Sequence, residues 1–290
     1  MNSDFLKGKR GLVMGVVNEN SIAWGMAKAA AAHGAELAFT YQWSRSLPTV
    51  EPLAKELGVD ILLPCDVRDE EAIPSVFKTL EEKWGKFDFV IHSMAFSKKK
   101  ELDGLFRDTS RKNFEMSMTI SAYSFIEVAR HAAPLLNEGG SLITLSYYGS
   151  EQVIPNYNVM GVCKAALEAS VRYLAADLGP EGIRVNAVSA GPIMTSAGSG
   201  IQDFNFLIDW NAVNSPLRRT VTLDDLGKAG LYLLSDLSSG VTGETHHVDA
   251  GYHTVGMLAA DLESVQKNKK MLEQVEKNLI EREQTANAAE

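Results

Sequence analysis

Residues 10–25, "RGLVMGVVNENSIAWG", hold a strand, a turn and the start of a helix within a few turns of chain. The apolar run RGLVMGV has the length and make-up of a buried strand. Gly15 then lets the backbone turn close to a ligand, Ser21 stands where a helix N-cap belongs, and Gly25 falls in the first helix. The free N–H groups and dipole of that helix end favour an anion, and Ser21 adds a hydroxyl, so the junction can hold a pyrophosphate. It lacks the G-x-G-x-x-G spacing, and a plain strand-to-helix turn fits the same residues.

Outward from this unit the same rhythm repeats. The runs AELAFTY, DILLPCDV, FDFVIHSMAF, GSLITLSYY, IRVNAVSA and ETHHVDAG follow as further strands, seven in all. Helical patterns lie between them near 21–33, 48–58, 69–84, 110–136, 157–179 and 222–235, several closed by glycine at 34, 58, 85 and 139. Strands buried on both faces and joined by crossover helices predict an α/β fold with a doubly wound, parallel seven-stranded sheet of Rossmann type. One domain, 1–260, carries this rhythm. Within it, residues 190–219 are rich in glycine and serine and then aromatic without a long clean period, which reads as a lid over a substrate. From 261 to 290 the composition becomes charged, without glycine or proline, and Leu262, Val265, Leu272, Val275 and Leu279 mark an amphipathic helical tail.

The composition, 45% hydrophobic and 22% charged, is that of a chain with a sizeable core. Its net charge of −9 is dispersed, which argues against nucleic acid or an anionic membrane as the main partner. No run approaches the roughly 18 apolar residues of a membrane span. The N-terminus has no apolar signal segment, and the two cysteines, Cys65 and Cys163, have no disulfide spacing, so a reducing cytoplasm is expected.

The strand ends supply the candidate ligand contacts. Gln42 follows the second strand, where no acidic residue waits for a ribose 2′-hydroxyl, and Arg45 could meet a 2′-phosphate; cofactor preference stays open on these residues alone. Asp66 ends the third strand and could accept from adenine or cap a helix. The small residues of SMAF, 93–96, would let the chain pass near a nicotinamide ribose. After the fifth strand comes "SYYGSEQVIPNYNVMGVCK", 146–164. A tyrosine hydroxyl in a low-dielectric site can stabilise an oxyanion on a carbonyl, and a nearby ammonium sharpens it. Seven residues apart on a helix, Tyr157 and Lys164 share a face to within about 20°. A metal centre is not indicated: His246 and His247 alternate across a strand, and no HExxH or paired-cysteine spacing occurs. No G-x-S-x-G elbow is present. Lys98–Lys100 reads as a solvated loop, or otherwise as a contact for an acidic partner.

These stretches, with GPEGIRVNAVSAGPI, PLRRTVTLDDLG and SDLSSGVTGE, resemble the bacterial enoyl-acyl-carrier-protein reductases of type II fatty acid synthesis, a divergent branch of the short-chain dehydrogenase/reductases. The likeness runs from about residue 5 to 257 in order. It implies reduction of the trans-2 double bond of an enoyl thioester on an acyl carrier protein by NADH, with NADPH less favoured. It also implies a homotetramer built on long helices near 110–136 and around Lys164. By the resemblance Tyr157 donates to the thioester carbonyl, Lys164 holds the nicotinamide ribose, and Tyr147 is a second tyrosine at the substrate. Dinucleotide contacts fall on Gly15, Ser21, Ile22, Gln42, Asp66, Val67, Met94 and the segment Ile193, Met194, Thr195, Ser196 and Ala197. Substrate contacts fall on Ser97 and on lid residues Ile201 and Phe204, with Phe206 and Leu207 beside them. The wider superfamily's Tyr-x3-Lys would require a tyrosine at Met160, which argues against the competing reading as a ketoacyl or other carbonyl reductase; a non-catalytic dinucleotide-binding protein is the remaining alternative. The lid segment IQDFNFL lacks basic residues, so carrier docking shifts to Lys98–Lys100 or to Arg218 and Arg219. The tail is longer than the family pattern, and its apolar seam is too short to hold subunits together alone.

Overall fold

The computed structural model describes residues 4–196 and 198–287. Seven strands, β1 (Arg10–Met14), β2 (Glu36–Tyr41), β3 (Ile61–Pro64), β4 (Phe87–His92), β5 (Leu136–Ser146), β6 (Arg184–Ala190) and β7 (Thr245–Val248), pair in the order β3-β2-β1-β4-β5-β6-β7. Every pairing is parallel. The chain leaves β1 toward β2 on one side and returns to β4 on the other, so a crevice opens where the carboxyl ends of β1 and β4 diverge.

Side-chain alternation explains why these runs are apolar throughout. Leu12, Met14, Val90 and Leu142 enter one core, while Val13, Phe89, Ile91 and Ile143, one residue out of step, enter a second core on the opposite face. Helices α1 (Ile22–Ala32) and α2 (Leu47–Glu56) cover the second core, and α3 (Ala72–Trp84) covers the first. After β4 come the short α4 (Lys99–Leu102), α5 (Arg111–Met118), α6 (Ser124–Ala132) and α7 (Val159–Leu178), the last two packing on the first core. α8 (Phe204–Asn214) and α9 (Leu223–Leu234) follow, α9 returning to the second core. α9 opens on a capping box between Thr222 and Asp225. α10 (Leu262–Asn287) ends the described chain.

Several expectations are corrected. The helix read over 110–136 is present as continuous α5 and α6, with a π-turn at Thr119–Tyr123 between them whose Ser121 Oγ accepts from the Phe96 N–H. The helix carrying Lys164 starts only at Val159, because Asn156 and Asn158 take positive φ angles of 61° and 39°. Tyr157 therefore sits in a turn before the helix. Gly139 closes no helix; its N–H donates to Gly182 at 3.0 Å at the start of β5. The region 190–219 contains a full helix, α8, rather than open loop. The tail is helical as read, but its apolar stripe is rotated: Leu262, Val265, Leu272 and Leu279 are exposed. The inward stripe is Ser264, Asn268, Met271, Val275, Asn278 and Arg282.

Candidate active site

The β1–α1 junction is tight. A Cβ on Gly15, whose φ is 101°, would lie 2.0 Å from the Ser93 carbonyl oxygen, so only glycine lets the two strand ends converge there. Ser21 Oγ accepts from the N–H groups of Val17 and Asn18 at 3.0 and 3.1 Å, which leaves its own proton to donate outward. Ile22 begins α1, half-buried. The Asn18 amide donates to Ser196 Oγ at 2.9 Å, tying this junction to the segment after β6. In that segment Ile193 packs on the second core, Met194 is exposed, and Thr195 Oγ1 accepts from Gly198 at 3.0 Å. Ala197 lies outside the described residues.

At the end of β2, Gln42 is exposed beside Trp43. The Arg45 and Arg68 guanidinium carbons lie 4.0 and 5.8 Å from the Trp43 ring centroid. Asp66 accepts from Arg68 Nε at 2.9 Å and from Trp43 Nε1 at 3.1 Å. The Arg68 hydrogen bonds hold its carboxyl down at about 2. Asp66 is thus committed to Arg68 and Trp43, and Arg68 reaches this corner unannounced by local sequence. Val67 is buried in the first core and Met94 packs against it.

Below the crevice, the Tyr147 and Tyr157 rings meet edge to face at 5.0 Å. Burial pushes both hydroxyls above the ordinary tyrosine value, so each stays a protonated donor. A Cβ on Gly149 would lie 2.5 Å from the Tyr157 ring, so the turn after β5 presses directly on it. Asn156 and Asn158 flank Tyr157 and fasten it on both sides: Asn156 Nδ2 donates to the Gln202 carbonyl at 3.3 Å, and Asn158 Nδ2 to the Leu102 carbonyl at 2.8 Å. Lys164 is buried on α7, with Nζ donating to the Leu145 carbonyl at 2.6 Å. Desolvation pulls its pKa down from 10.5 to about 8, against the opposing fields of Cys163 and Glu168. Glu168, one helical turn on, accepts from Ser146 and, at 2.6 Å, from Ser150. Ser97 Oγ accepts from the fully buried Asn113 at 3.0 Å, and Asn113 also takes the Lys98 N–H at 3.1 Å. Ile201 packs with Tyr147 and Tyr157, and Phe204 is buried at the start of α8.

Residues 15–253 match the profile of the enoyl-(acyl carrier protein) reductase family. The chain belongs to that family. A Rhizobium meliloti protein named enoyl-[acyl-carrier-protein] reductase [NADH] 1 is 61% identical over 259 residues, covering 89% of this chain and 95% of the relative. The solved structure of an Anaplasma phagocytophilum enoyl-(acyl-carrier-protein) reductase in complex with NAD is 58% identical with a TM-score of 0.86, covering 88% of this chain and 98% of that one. A Bacillus cereus enoyl-acyl carrier protein reductase solved with NADP+ and indole naphthyridinone is 48% identical, TM-score 0.86, covering 87% and 99%. Each relative is used almost entirely while about a tenth of this chain is left over.

In this reductase, then, Tyr147, Tyr157 and Ile201 belong to one packed cluster, Lys164 is bonded to the end of β5, and Ser21 and Ser196 both meet Asn18 beside the Gly15 turn. Trp43, Arg68, Asn113 and Glu168 escaped sequence reading. For Glu168 a signal existed: a carboxylate one turn after Lys164 on the buried face of a helix needs partners. Trp43 and Asn113 are paired by residues distant in sequence, whereas Arg68 pairs with Asp66 only two positions away. The histidines fall as read, His246 against Tyr232 and His247 against Glu151.

Proposed function

We infer that the chain reduces the trans-2 double bond of enoyl thioesters carried on an acyl carrier protein, with NADH as donor, as a step of fatty acid biosynthesis. The observation that carries this reading is the edge-to-face pair of buried Tyr157 and half-buried Tyr147, in one cluster with lid residue Ile201 and followed on α7 by a buried lysine. NADH, when bound, supplies a hydride to the β-carbon. The residues at the crevice fit that cofactor: Gly15 permits the tight turn at the helix N-terminus where Ser93 leaves no room for a Cβ, Ser21 has a proton to give, and the buried Lys164 ammonium is suited to ribose hydroxyls. Tyr157 donates to the thioester oxygen, where negative charge gathers as the double bond is reduced, so its hydrogen bond strengthens toward the transition state. Tyr147 supplies the second hydroxyl. Ile201 and Phe204 cover the apolar chain and exclude water. Gln42, Asp66, Val67, Met94 and residues 193–196 line the remaining dinucleotide path, and Ser97 the substrate side.

A ketone reductase would need a hydroxyl four residues before Lys164, and Met160 instead packs with Tyr157. The test is NADH oxidation followed by absorbance. Crotonyl thioester is turned over, acetoacetyl thioester is not; the reverse selectivity overturns the reading. NADH outruns NADPH, because Arg68 is already paired with Asp66 and only Arg45 is left at the corner for a 2′-phosphate.

For the carrier, Arg218 and Arg219 are engaged by Asp261 and Asp225. Lys99 and Lys100 have no ion pair among the described residues, which makes them the stronger docking candidates. Lys99→Glu with Lys100→Glu raises KM for the carrier-linked substrate about fivefold or more while the coenzyme A ester holds its KM. Equal effects on both substrates remove the lysines from docking. The homotetramer is supported by apolar side chains left exposed on the expected helices, Phe114 and Ile126 near α5 and α6 and Val162 and Tyr173 on α7. No helix of the described residues is long and apolar enough to cross a membrane.

A further inference from the structure

The tail helix α10 lies antiparallel on the lid helix α8 and holds it at both ends. At the start of α8, Asp203 accepts from Arg282 at 3.0 and 2.8 Å. At its end, the amides of Asn214 and Asn268 exchange hydrogen bonds of 2.9 Å each, and Asn214 Oδ1 also takes the Ala259 N–H at 3.0 Å. These groups are satisfied by one another, so the two helices are joined by specific polar clasps at either end.

Between the clasps the helices stand apart. A cleft of about 600 Å³ remains, within the usual range for a bound small molecule. Its lid side is Ile201, Phe204 and Phe206; its tail side is Met271, Val275 and Leu279. Ile201 lines this cleft and also packs against the buried cluster that contains Tyr157, as Tyr147 does, so the cleft borders the tyrosine site at that residue. The turn holding Tyr157 is bonded to the same lid segment, through Asn156 and the Gln202 carbonyl. A thioester whose carbonyl meets Tyr157 would bring its acyl chain to Ile201, the residue that faces this space.

We propose that α10 forms the outer wall of the acyl-chain cleft and sets how long a chain the enzyme accepts. The occupant is the distal part of the substrate's own acyl chain. Its apolar character suits the lining at Ile201, Phe204, Phe206, Met271 and Val275, and of the charged residues that line the cleft Asp203 and Arg282 pair with each other, while Asp209 also lines it. The profile match stops at residue 253, so the tail wall is a feature of this chain beyond the matched family region. The inference rests on the enoyl reductase reading, and its test separates the two.

The test compares kcat/KM for dodecenoyl and crotonyl esters of coenzyme A in the full-length protein. Val275→Trp fills the cleft and lowers the dodecenoyl-to-crotonyl ratio about tenfold or more, since hydrophobic pockets discriminate on that scale per misplaced group. Lys277→Trp, on the exposed face of the same helix, keeps the wild-type ratio. Val275→Phe serves the same purpose should the tryptophan variant fail to give a wild-type circular dichroism spectrum. An unchanged ratio in a folded Val275 variant, or an equal loss with both esters, overturns the proposal. Wild-type protein inactive with every enoyl ester overturns the reductase reading and this inference with it.

Discussion

Replacing Tyr157 with phenylalanine lowers kcat for enoyl thioesters about a hundredfold, the lower end of what removal of one oxyanion donor costs. The lost hydroxyl acts on charge that appears only as the double bond is reduced, so the change falls on turnover and NADH affinity holds. The edge-to-face ring of Tyr147 at 5.0 Å keeps a second hydroxyl in the crevice, which is why the loss stays at the lower end. The phenyl ring still fills the space against Gly149 and Ile201, so the fold is kept. Steady-state kinetics beside a fluorescence titration of NADH checks the split. Wild-type turnover in the variant would remove Tyr157 from the chemistry.

Lys164→Ala has its effect on the cofactor instead. Hydrogen bonds from a charged donor contribute about 1.5–3 kcal/mol each, so the dissociation constant for NADH rises roughly 10–100-fold. The Leu145 carbonyl, which now accepts from Lys164 at 2.6 Å, loses its partner as well, and some stability goes with it. Wild-type NADH affinity in the alanine variant would refute the assignment. The pH dependence follows from the same burial. With its pKa pulled to about 8, the ammonium of the free protein is present below that pH and lost above it. NADH affinity therefore falls as pH rises through about 8, and bound NADH, favouring the charged form, moves the midpoint upward. Stability runs the other way. Between about 8 and 10.5 the unfolded chain holds this proton and the folded chain does not, so the Lys164 contribution to stability increases with pH across that window. A flat affinity profile from neutral pH to the alkaline end of that window would show that Lys164 does not bind cofactor as an ammonium.

Tyr157 illustrates how far a spacing can be trusted. Tyr157 and Lys164 were placed on one helix by their separation, yet Tyr157 stands in a turn fixed by two asparagines at positive φ. The turn is held by the Asn156 and Asn158 side-chain bonds, made to segments 46 and 56 residues away in sequence. Asp66 shows the same limit. Its position at a strand end was legible, but its commitment to Arg68 and Trp43 depends on side-chain geometry at that corner.

What the sequence determined by itself was the sheet and its order of build. Burial on both faces demands unbroken apolar runs, crossovers demand helices between them, and both leave a local record in periodicity. The Gly15 turn and the tyrosine–lysine stretch were legible for the same reason, since each needs particular residue types at short range. Only the tertiary structure decided what the lid and tail do. α8 is held from one side by Trp210 bonding to Tyr252 and from the other by α10, so no single apolar face marks it in the sequence. Leu262, Val265 and Leu272 of the tail are exposed, while its inward stripe is mostly polar because Asn268 and Arg282 meet Asn214 and Asp203. Periodicity records that a surface is buried; which surface meets it is settled only when distant segments close on each other.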